Sequence, residues 1–134
     1  MKVLVDTDVW SEAFRKKASE PSDYVRTLIR LIEENRVQMM GIIRMEVLFG
    51  IRNDKVFENI FTKLKPFPDR ELTSDIFVMA AQFMNLCRSK GIQGSNNDFI
   101  ICACSVLWKM PILSKDNDYK HYMNYIPIEL FELR

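Results

Sequence analysis

The sequence predicts an α/β fold with a mainly parallel sheet of four to five strands and helices on both of its faces. Two features indicate this class: the strands are short and apolar throughout, as in sheets buried on both sides, and they alternate with helices along the chain. The chain has 134 residues, of which 48% are apolar and 28% are charged. This length and composition predict one globular domain that spans residues 1–134.

Each predicted strand is a short apolar segment next to a turn or helix signal. The first strand, Lys2–Val5, is followed directly by an aspartate, and the last strand is Ile126–Phe131. Between them lie Val37–Met40, Ile112–Leu113 and a short edge strand at Pro66–Pro68. Sites in parallel α/β folds form beyond the carboxyl ends of the strands, so the residues that follow each strand are candidates for a functional site.

Helices are predicted where apolar residues recur at helical spacing and capping residues stand at the ends. The longest starts at a cap at Thr73 or Ser74 and ends near Lys90. The helix over 98–108 is apolar on every side, which predicts burial on every side. The other predicted helices are Val9–Lys17, Tyr24–Asn35, Ile42–Phe49, Val56–Leu64 and Tyr119–Tyr125.

Composition and residue counts exclude several classes of protein and of site. The longest uncharged stretches, Ile76–Cys87 and Phe99–Trp108, are too short to span a bilayer, and the N-terminus lacks the apolar core of a signal peptide. We therefore expect a cytoplasmic protein without membrane contact. The single histidine, His121, excludes a site with several histidines, and three cysteines cannot all pair. A catalytic metal would thus be bound by oxygen, which favours Mg²⁺ or Mn²⁺ over Zn²⁺.

Several acidic residues occupy positions where a carboxylate is unfavourable. Asp6 directly follows the apolar first strand, Glu46 lies on an otherwise apolar helix face, and Asp98 begins the most hydrophobic helix. Asp116 follows the penultimate strand, with Asp118 close behind. Burying an unpaired carboxylate is costly. Because the first and penultimate strands end at the same edge of a parallel sheet, we expect these acids to converge there and to share a divalent cation.

Each acid also has an ordinary structural explanation when it is considered alone. Asp98 is suited to capping its helix, and Asp6 with Thr7 is suited to capping the helix after the first strand. Asp8 is predicted to be an N-cap, or else a group that supports the site. Glu46 could pair with an arginine on its own helix or just beyond it. The two acids after the penultimate strand are typical turn residues.

Taken together and in order, these residues resemble the PIN-domain family, and within it the VapC-type toxins of bacterial and archaeal toxin–antitoxin pairs. The resemblance covers nearly the whole chain. It comprises a first strand running into Asp6 and Thr7, a helix that carries Glu46, Asp98 at the start of an apolar helix, and the segment Leu113–Tyr119. It implies a three-layer α/β/α fold around a central, mainly parallel sheet.

The resemblance also implies an activity, a cofactor and partners. It implies a metal-dependent ribonuclease in which Asp6, Glu46, Asp98 and Asp116 hold Mg²⁺ or Mn²⁺, with Asp118 as the other candidate for the fourth ligand. The expected reaction is hydrolysis of an RNA phosphodiester by metal-activated water, and the family resemblance implies a 5′-phosphate product. A homodimer and a protein antitoxin that occludes the acidic site are the implied partners.

Other residues are predicted to support this site or to bind RNA. Thr7 can bond a carboxylate or a turn amide, and the Ser114 hydroxyl can orient Asp116. Basic side chains near the motifs would contact RNA phosphates, so binding would weaken with salt. Single-stranded or looped RNA, whose bases are accessible, is the expected substrate. The candidate RNA-binding residues are Arg15, Lys16, Arg44 and Lys115.

Three alternatives remain open at the level of the sequence. A PIN fold without catalytic activity could bind RNA or protein. A phosphatase of the haloacid-dehalogenase type would use Asp6 as its nucleophile and Asp8 as its acid. A phospho-receiver domain has acids after its first strand, but it also needs a phosphorylatable aspartate at a strand end, for which Asp54 is the nearest candidate.

Overall fold

The structure, a computed structural model, describes residues 1–15 and 20–133. Its sheet contains β1 (Val3–Val5), β2 (Val37–Gln38) and β3 (Ile112–Leu113) in the order β2-β1-β3, and both pairings are parallel. Val5 is in register with Leu113, so these two strands end side by side. Helices surround this sheet, which confirms the predicted α/β class.

The described sheet has three strands, and the prediction of four to five was wrong. The two missing edge strands are reduced to single parallel bridges, Met39 with Asp69 and Ile112 with Leu130. The physical reason is proline, which has no N–H to donate to a ladder. Prolines 66 and 68 precede the first bridge, and Pro127 lies in the segment that forms the second.

Seven helices are present in the described residues, with bounds close to those predicted. They are α1 (Thr7–Ala13), α2 (Asp23–Glu33), α3 (Gly41–Leu48), α4 (Asp54–Leu64), α5 (Ser74–Ser89), α6 (Asn96–Trp108) and α7 (Asp118–Tyr122). The helix predicted over 9–17 starts earlier, because Asp6 caps it, and ends at Ala13. Residues 16 and 17 of that prediction lie outside the described residues.

The core is centred on β1 and α6, as the apolar pattern predicts. Val3, Leu4 and Val5 are completely buried, and most of α6 from Phe99 to Ser105 is buried as well. None of the helices in the described part of the chain has the length and apolar content needed to cross a membrane. Because β1 and α6 are fixed by this core, the groups at their ends are held in place.

Candidate acidic active site

Asp6 lies at the junction of β1 and α1 and is only 8% exposed. It is the N-cap of α1, and its Oδ1 accepts a hydrogen bond from the Thr7 backbone N at 2.8 Å. Its Oδ2 accepts a hydrogen bond from the Ser114 hydroxyl at 2.8 Å. This contact follows from the sheet register, because Asp6 and Ser114 each follow one of the paired residues at the ends of β1 and β3.

Ser114 supports Asp6, and its hydroxyl oxygen also holds Asp116, by the main chain. The hydroxyl donates to Asp6, whereas Asp116 contributes its backbone N–H as a donor to Ser114 Oγ at 3.0 Å. Asp116 therefore has its main chain, not its carboxylate, bonded to this serine.

Glu46 is held near Asp6 by two side chains from other helices. Thr7 Oγ1 donates to Glu46 Oε1 at 2.8 Å, and Asn97 Nδ2 donates to Oε2 at 3.2 Å. Thr7 thus bonds both acids, Asp6 through its backbone and Glu46 through its hydroxyl. The arginine on the same helix, Arg44, is paired elsewhere, with Asp69 at 3.0 Å.

Three further acids form a cluster between the start of α6 and the start of α7. Asp98, Asp116 and Asp118 each place one carboxylate oxygen within 4.8 Å of the other two. Asp98 is not the N-cap of α6, since Ser95 fills that position and accepts from the Asp98 N–H at 3.1 Å. The Asp98 carboxylate is thereby left available to the cluster.

Two tyrosines on α7 fix the orientation of Asp98. The Tyr122 hydroxyl donates to Asp98 Oδ2 at 2.9 Å, and the Tyr119 hydroxyl lies 3.5 Å from Oδ1. Both rings are completely buried, so they anchor α7 to the core beside the acids. Asp118, the first residue of α7, is positioned by the same packing.

Asp8 is a half-buried supporting residue, and the prediction that it caps a helix was wrong. Asp6 is the cap, and Asp8 lies in the first turn of α1. Its Oδ2 accepts hydrogen bonds from the Lys115 backbone N at 3.0 Å and from Ser114 Oγ at 3.4 Å. Among the described residues, no donor reaches the buried Asp8 Oδ1. Asp8 therefore ties the loop after β3 to α1 and adds negative charge next to Asp6.

Burial and mutual repulsion make it harder for these carboxyl groups to ionise. Burial, with the nearby charges of Asp8 and Asp98, raises the pKa of Asp6 to about 7, although Ser114 and Thr7 oppose the shift. Burial also raises the pKa of Asp98, and the charges of Asp116 and Asp118 raise it further, against the hydrogen bonds from Tyr122 and Ser95. Burial likewise raises the pKa of Asp8.

The charge of the site is not neutralised by basic groups of the described chain. Within residues 1–15 and 20–133, no lysine or arginine forms an ion pair with Asp6, Asp98, Asp116 or Asp118. Repelling carboxylates that are held in place and lack a cationic side chain fit a bound divalent ion. The donors are all oxygen, which suits Mg²⁺ or Mn²⁺. Asp98, Asp116 and Asp118 are the residues that could hold it; Asp6 and Glu46, also predicted as ligands, do not join this group in the described part of the chain.

The four residues predicted to bind RNA differ in their structural environments. Arg44 is engaged internally, with Asp69 and with the carbonyl oxygens of residues 64 and 67, so its predicted contact with RNA needs correction. Lys115 pairs with Glu12 at 2.5 Å. Arg15 is exposed and lines a cavity of about 280 Å³ that also contains Glu46. Lys16 lies outside the described residues.

Sequence reasoning missed Asn97, Tyr122 and Ser95 as parts of the site. A signal existed for each of them. Ser95 stands three residues before Asp98, as in a capping box, and Asn97 is its neighbour. Tyr122 follows Tyr119 by three residues, a spacing that places both rings on one face of a helix.

Gly94 leaves room for the ring that positions Asp98, and this predicts a large effect of a single methyl group. A Cβ at residue 94 would overlap the Tyr122 hydroxyl and lie 2.8 Å from Phe99 Cε2. Because both rings are buried and cannot move aside, Gly94→Ala should lower the free energy of unfolding by about 1–3 kcal/mol and disturb the Asp98 bond. Thermal and urea unfolding measure this.

Gly41→Ala is the matched control for that substitution. A Cβ there would meet only Asp69 Oδ2, at an ordinary 3.8 Å, and the residue begins α3. It should leave stability nearly unchanged or raise it. Equal stability of the two variants would contradict the role assigned to residue 94.

Fold and site together define an α/β protein with a cluster of acids at the carboxyl edge of a parallel sheet. A model of the PIN-domain family matches residues 3–124, and the chain belongs to this family. This confirms the resemblance predicted from the four acidic motifs. The chain is also 29% identical over 119 residues to Ribonuclease VapC11 of Mycobacterium tuberculosis and to VapC ribonuclease Mb1587 of Mycobacterium bovis. The match covers 87% of this chain and 88% of each relative.

Solved structures confirm the fold at low sequence identity. FitAcB from Neisseria gonorrhoeae superimposes with a TM-score of 0.77 at 21% identity, over 97% of this chain and 96% of that one. VapBC2 from Rickettsia felis, bound to a DNA fragment from its promoter, gives 0.79 at 14% identity over both whole chains. VapBC-1 from nontypeable Haemophilus influenzae gives 0.74 at 11% identity, with 98% of each chain covered.

The two alternatives outside this family find no support in the structure. Asp54 lies in the first turn of α4 and not at a strand end, where a receiver domain needs its phosphorylated aspartate. Asp8, the acid required by the phosphatase alternative, is bonded to the loop after β3.

Proposed function

We propose that this chain is a divalent-metal-dependent endoribonuclease, the toxin of a toxin–antitoxin pair. The observation that carries the proposal is the meeting of Asp98, Asp116 and Asp118 within 4.8 Å of one another, beside the buried Asp6. Its relatives named as VapC ribonucleases support the choice of RNA as the substrate.

The acids divide into those that hold the cation and those that are held near it. Asp98, Asp116 and Asp6 are the proposed ligands, and Asp118 is the alternative to Asp116. A divalent ion bound here would supply a water of lowered pKa and would stabilise charge on the phosphate oxygens. Each carboxylate oxygen of Glu46 accepts one hydrogen bond, from Thr7 or from Asn97, and Glu46 lies at the rim of the site.

Three features of the chain favour a reaction without a protein nucleophile. Ser114 donates its hydroxyl proton to Asp6, and its oxygen accepts the Asp116 backbone N–H and is engaged by it. The three cysteines are buried, and burial raises the thiol pKa of each. The carboxylates nearest the cluster accept hydrogen bonds that hold them in place. Such carboxylates are better suited to bind a metal ion than to attack a phosphate. Water is therefore the proposed nucleophile.

RNA binding is proposed to use Arg15 and Lys115, whose side chains lie near the acids. Arg15 shares a cavity with Glu46, and Lys115 precedes Asp116 in the loop after β3. Because each phosphate contact displaces bound counterions, affinity for RNA should fall as salt rises. The acids would repel RNA without the cation, so binding and catalysis should depend on the same ion.

The proposed protein partners are an antitoxin and a second copy of the chain. Because no lysine or arginine among the described residues pairs with Asp6 or with the clustered acids, the site would accept an arginine from an inhibitor, since guanidinium binds carboxylate in a bidentate way. Exposed apolar side chains on α5, Phe77 and Val78, are available for a homodimer contact. Several similar solved structures are described as VapBC complexes, in line with the first of these partners.

The proposal is tested by incubating the purified chain with single-stranded RNA in Mn²⁺, in Mg²⁺ and in EDTA. We expect cleavage with either metal and none in EDTA, with activity restored when excess metal is added back. Cleavage that continues in EDTA would exclude the metal-dependent mechanism. RNA that is bound but not cleaved in Mn²⁺ would favour a binding module with a PIN fold.

A further inference from the structure

The end of α3 presents an aromatic ring to solvent directly beside the acidic site. Phe49 is 84% exposed, and Met45, one turn earlier, is 56% exposed. These two side chains line a cavity of about 480 Å³ together with Thr7, Glu46 and Asn97. A phenylalanine that is so exposed contributes almost no burial free energy to folding. We therefore attribute its exposure to a role in binding.

The backbone that carries this ring is ordered. Helix α3 ends at Leu48, the Phe49 backbone turns to an extended conformation, and Gly50 follows at φ +85°, in the left-handed region. The Phe49 N–H still bonds the Met45 carbonyl at 2.8 Å, and the Ile51 N–H bonds that of Leu48 at 3.3 Å. The ring is thus carried on an ordered turn, so it can bind a flat ligand with little further loss of backbone entropy.

The cavity combines one apolar wall with one polar wall, and both join the site. Phe49 and Met45 form the apolar wall, while Thr7, Glu46 and Asn97, which are bonded to one another, form the polar one. Glu46 and Phe49 also line the adjoining cavity that contains Arg15. A ligand here would meet an aromatic face, polar edge groups and, next to them, a cation.

We propose that Phe49 is a stacking platform for one nucleobase of the RNA, on the nucleotide next to the bond that is cleaved. This rests on the proposed ribonuclease function and adds a specificity-determining residue to it. A base has a flat π-face for the ring and polar edges for the hydroxyl, carboxylate and amide side chains. Its phosphate lies on the side of the acids and of Arg15. Phe49 binds the substrate and takes no part in the chemistry.

The test combines Phe49→Ala with RNA substrates in which single nucleotides are abasic. We expect the substitution to raise KM by about tenfold, within the range of base–aromatic stacking, and to leave kcat within about twofold. One abasic position near the cleaved bond should weaken wild-type cleavage by the same factor and should not weaken Phe49→Ala further. Phe49→Trp, which keeps a stacking face, should retain the wild-type KM.

The controls separate this inference from the proposed function. Phe57→Ala removes another exposed phenylalanine, on α4, and should not change KM for RNA. Binding of an RNA with a non-hydrolysable linkage at the cleaved bond to the wild type and to Phe49→Ala, in saturating Mn²⁺, repeats the test without cleavage and should show the same tenfold loss. If RNA is cleaved normally by Phe49→Ala, the platform is wrong and the nuclease stands. If no RNA is cleaved but binding depends on Phe49, the nuclease is wrong and the platform stands. Weaker binding of an inhibitory protein with unchanged RNA kinetics would also overturn the platform.

Discussion

Asp98→Asn is expected to lower the rate of metal-dependent RNA cleavage at least ~100-fold, the size seen when a group central to charge stabilisation is removed. Asp98 links the cluster that it forms with Asp116 and Asp118 to the buried Asp6. It shares the cluster with Asp116 and Asp118, and its charge raises the pKa of Asp6. An asparagine keeps the shape and can still accept from Tyr122, so the loss should come from the missing negative charge.

Asp23→Asn is the matched control for this loss. Asp23 also lies in the first turn of a helix, but it is exposed on α2, where it pairs with Arg26. Its substitution should leave cleavage unchanged. Asp6→Asn should resemble Asp98→Asn in activity. Cleavage at a near-normal rate by either site variant would count against the shared cation.

Asp6→Asn is also expected to stabilise the metal-free protein as the pH rises. The pKa of Asp6 is raised from 3.8 to about 7 by folding, so the folded state holds a proton that the unfolded state has released between these values. The stability that neutral Asp6 provides is full below pH 3.8 and is lost as pH rises toward 7. Between pH 5 and pH 8 in EDTA, the wild type should lose up to about 3 kcal/mol more than Asp6→Asn.

Urea unfolding at several pH values measures this difference. Asp8 and Asp98 titrate in both proteins, and because their charges interact with Asp6 the difference between the two curves includes this coupling. Saturating Mn²⁺ should restore the wild type at pH 8, because an ion that binds only the folded state stabilises it, by about 2.7 kcal/mol at 100 times Kd. It should restore the variant much less. Parallel pH curves for the two proteins would contradict the raised pKa of Asp6.

The sequence allowed the class of fold and the contact between two strand ends to be predicted, because both depend on local patterns. The run Val3–Val5 before Asp6 and the pair Ile112–Leu113 before Ser114 mark two strand ends, and parallel pairing places those ends together. The edge strands were overpredicted, since apolar content does not show that a proline interrupts the ladder.

The contacts inside the site could not be predicted, because they join residues far apart in the chain. Aspartate is a typical helix N-cap residue, but the hydrogen-bond partners of Asp8 are more than 100 residues away, in the loop after β3. The sequence around Arg44 is typical of an exposed cationic side chain. Its ion-pair partner, Asp69, is brought next to it only by the fold. Glu46 is likewise held by Asn97, 51 residues further along. Helical and strand periodicity carry no information about such pairs.

The most direct measurement is Mn²⁺ binding to the purified protein, followed by calorimetry and by the electron paramagnetic resonance of the free ion. Wild type and Asp23→Asn should take up Mn²⁺ with equal affinity, and Asp98→Asn and Asp6→Asn should bind it at least tenfold more weakly. If both site variants bind Mn²⁺ as tightly as wild type, these carboxylates do not share an ion and the proposed catalytic site is wrong.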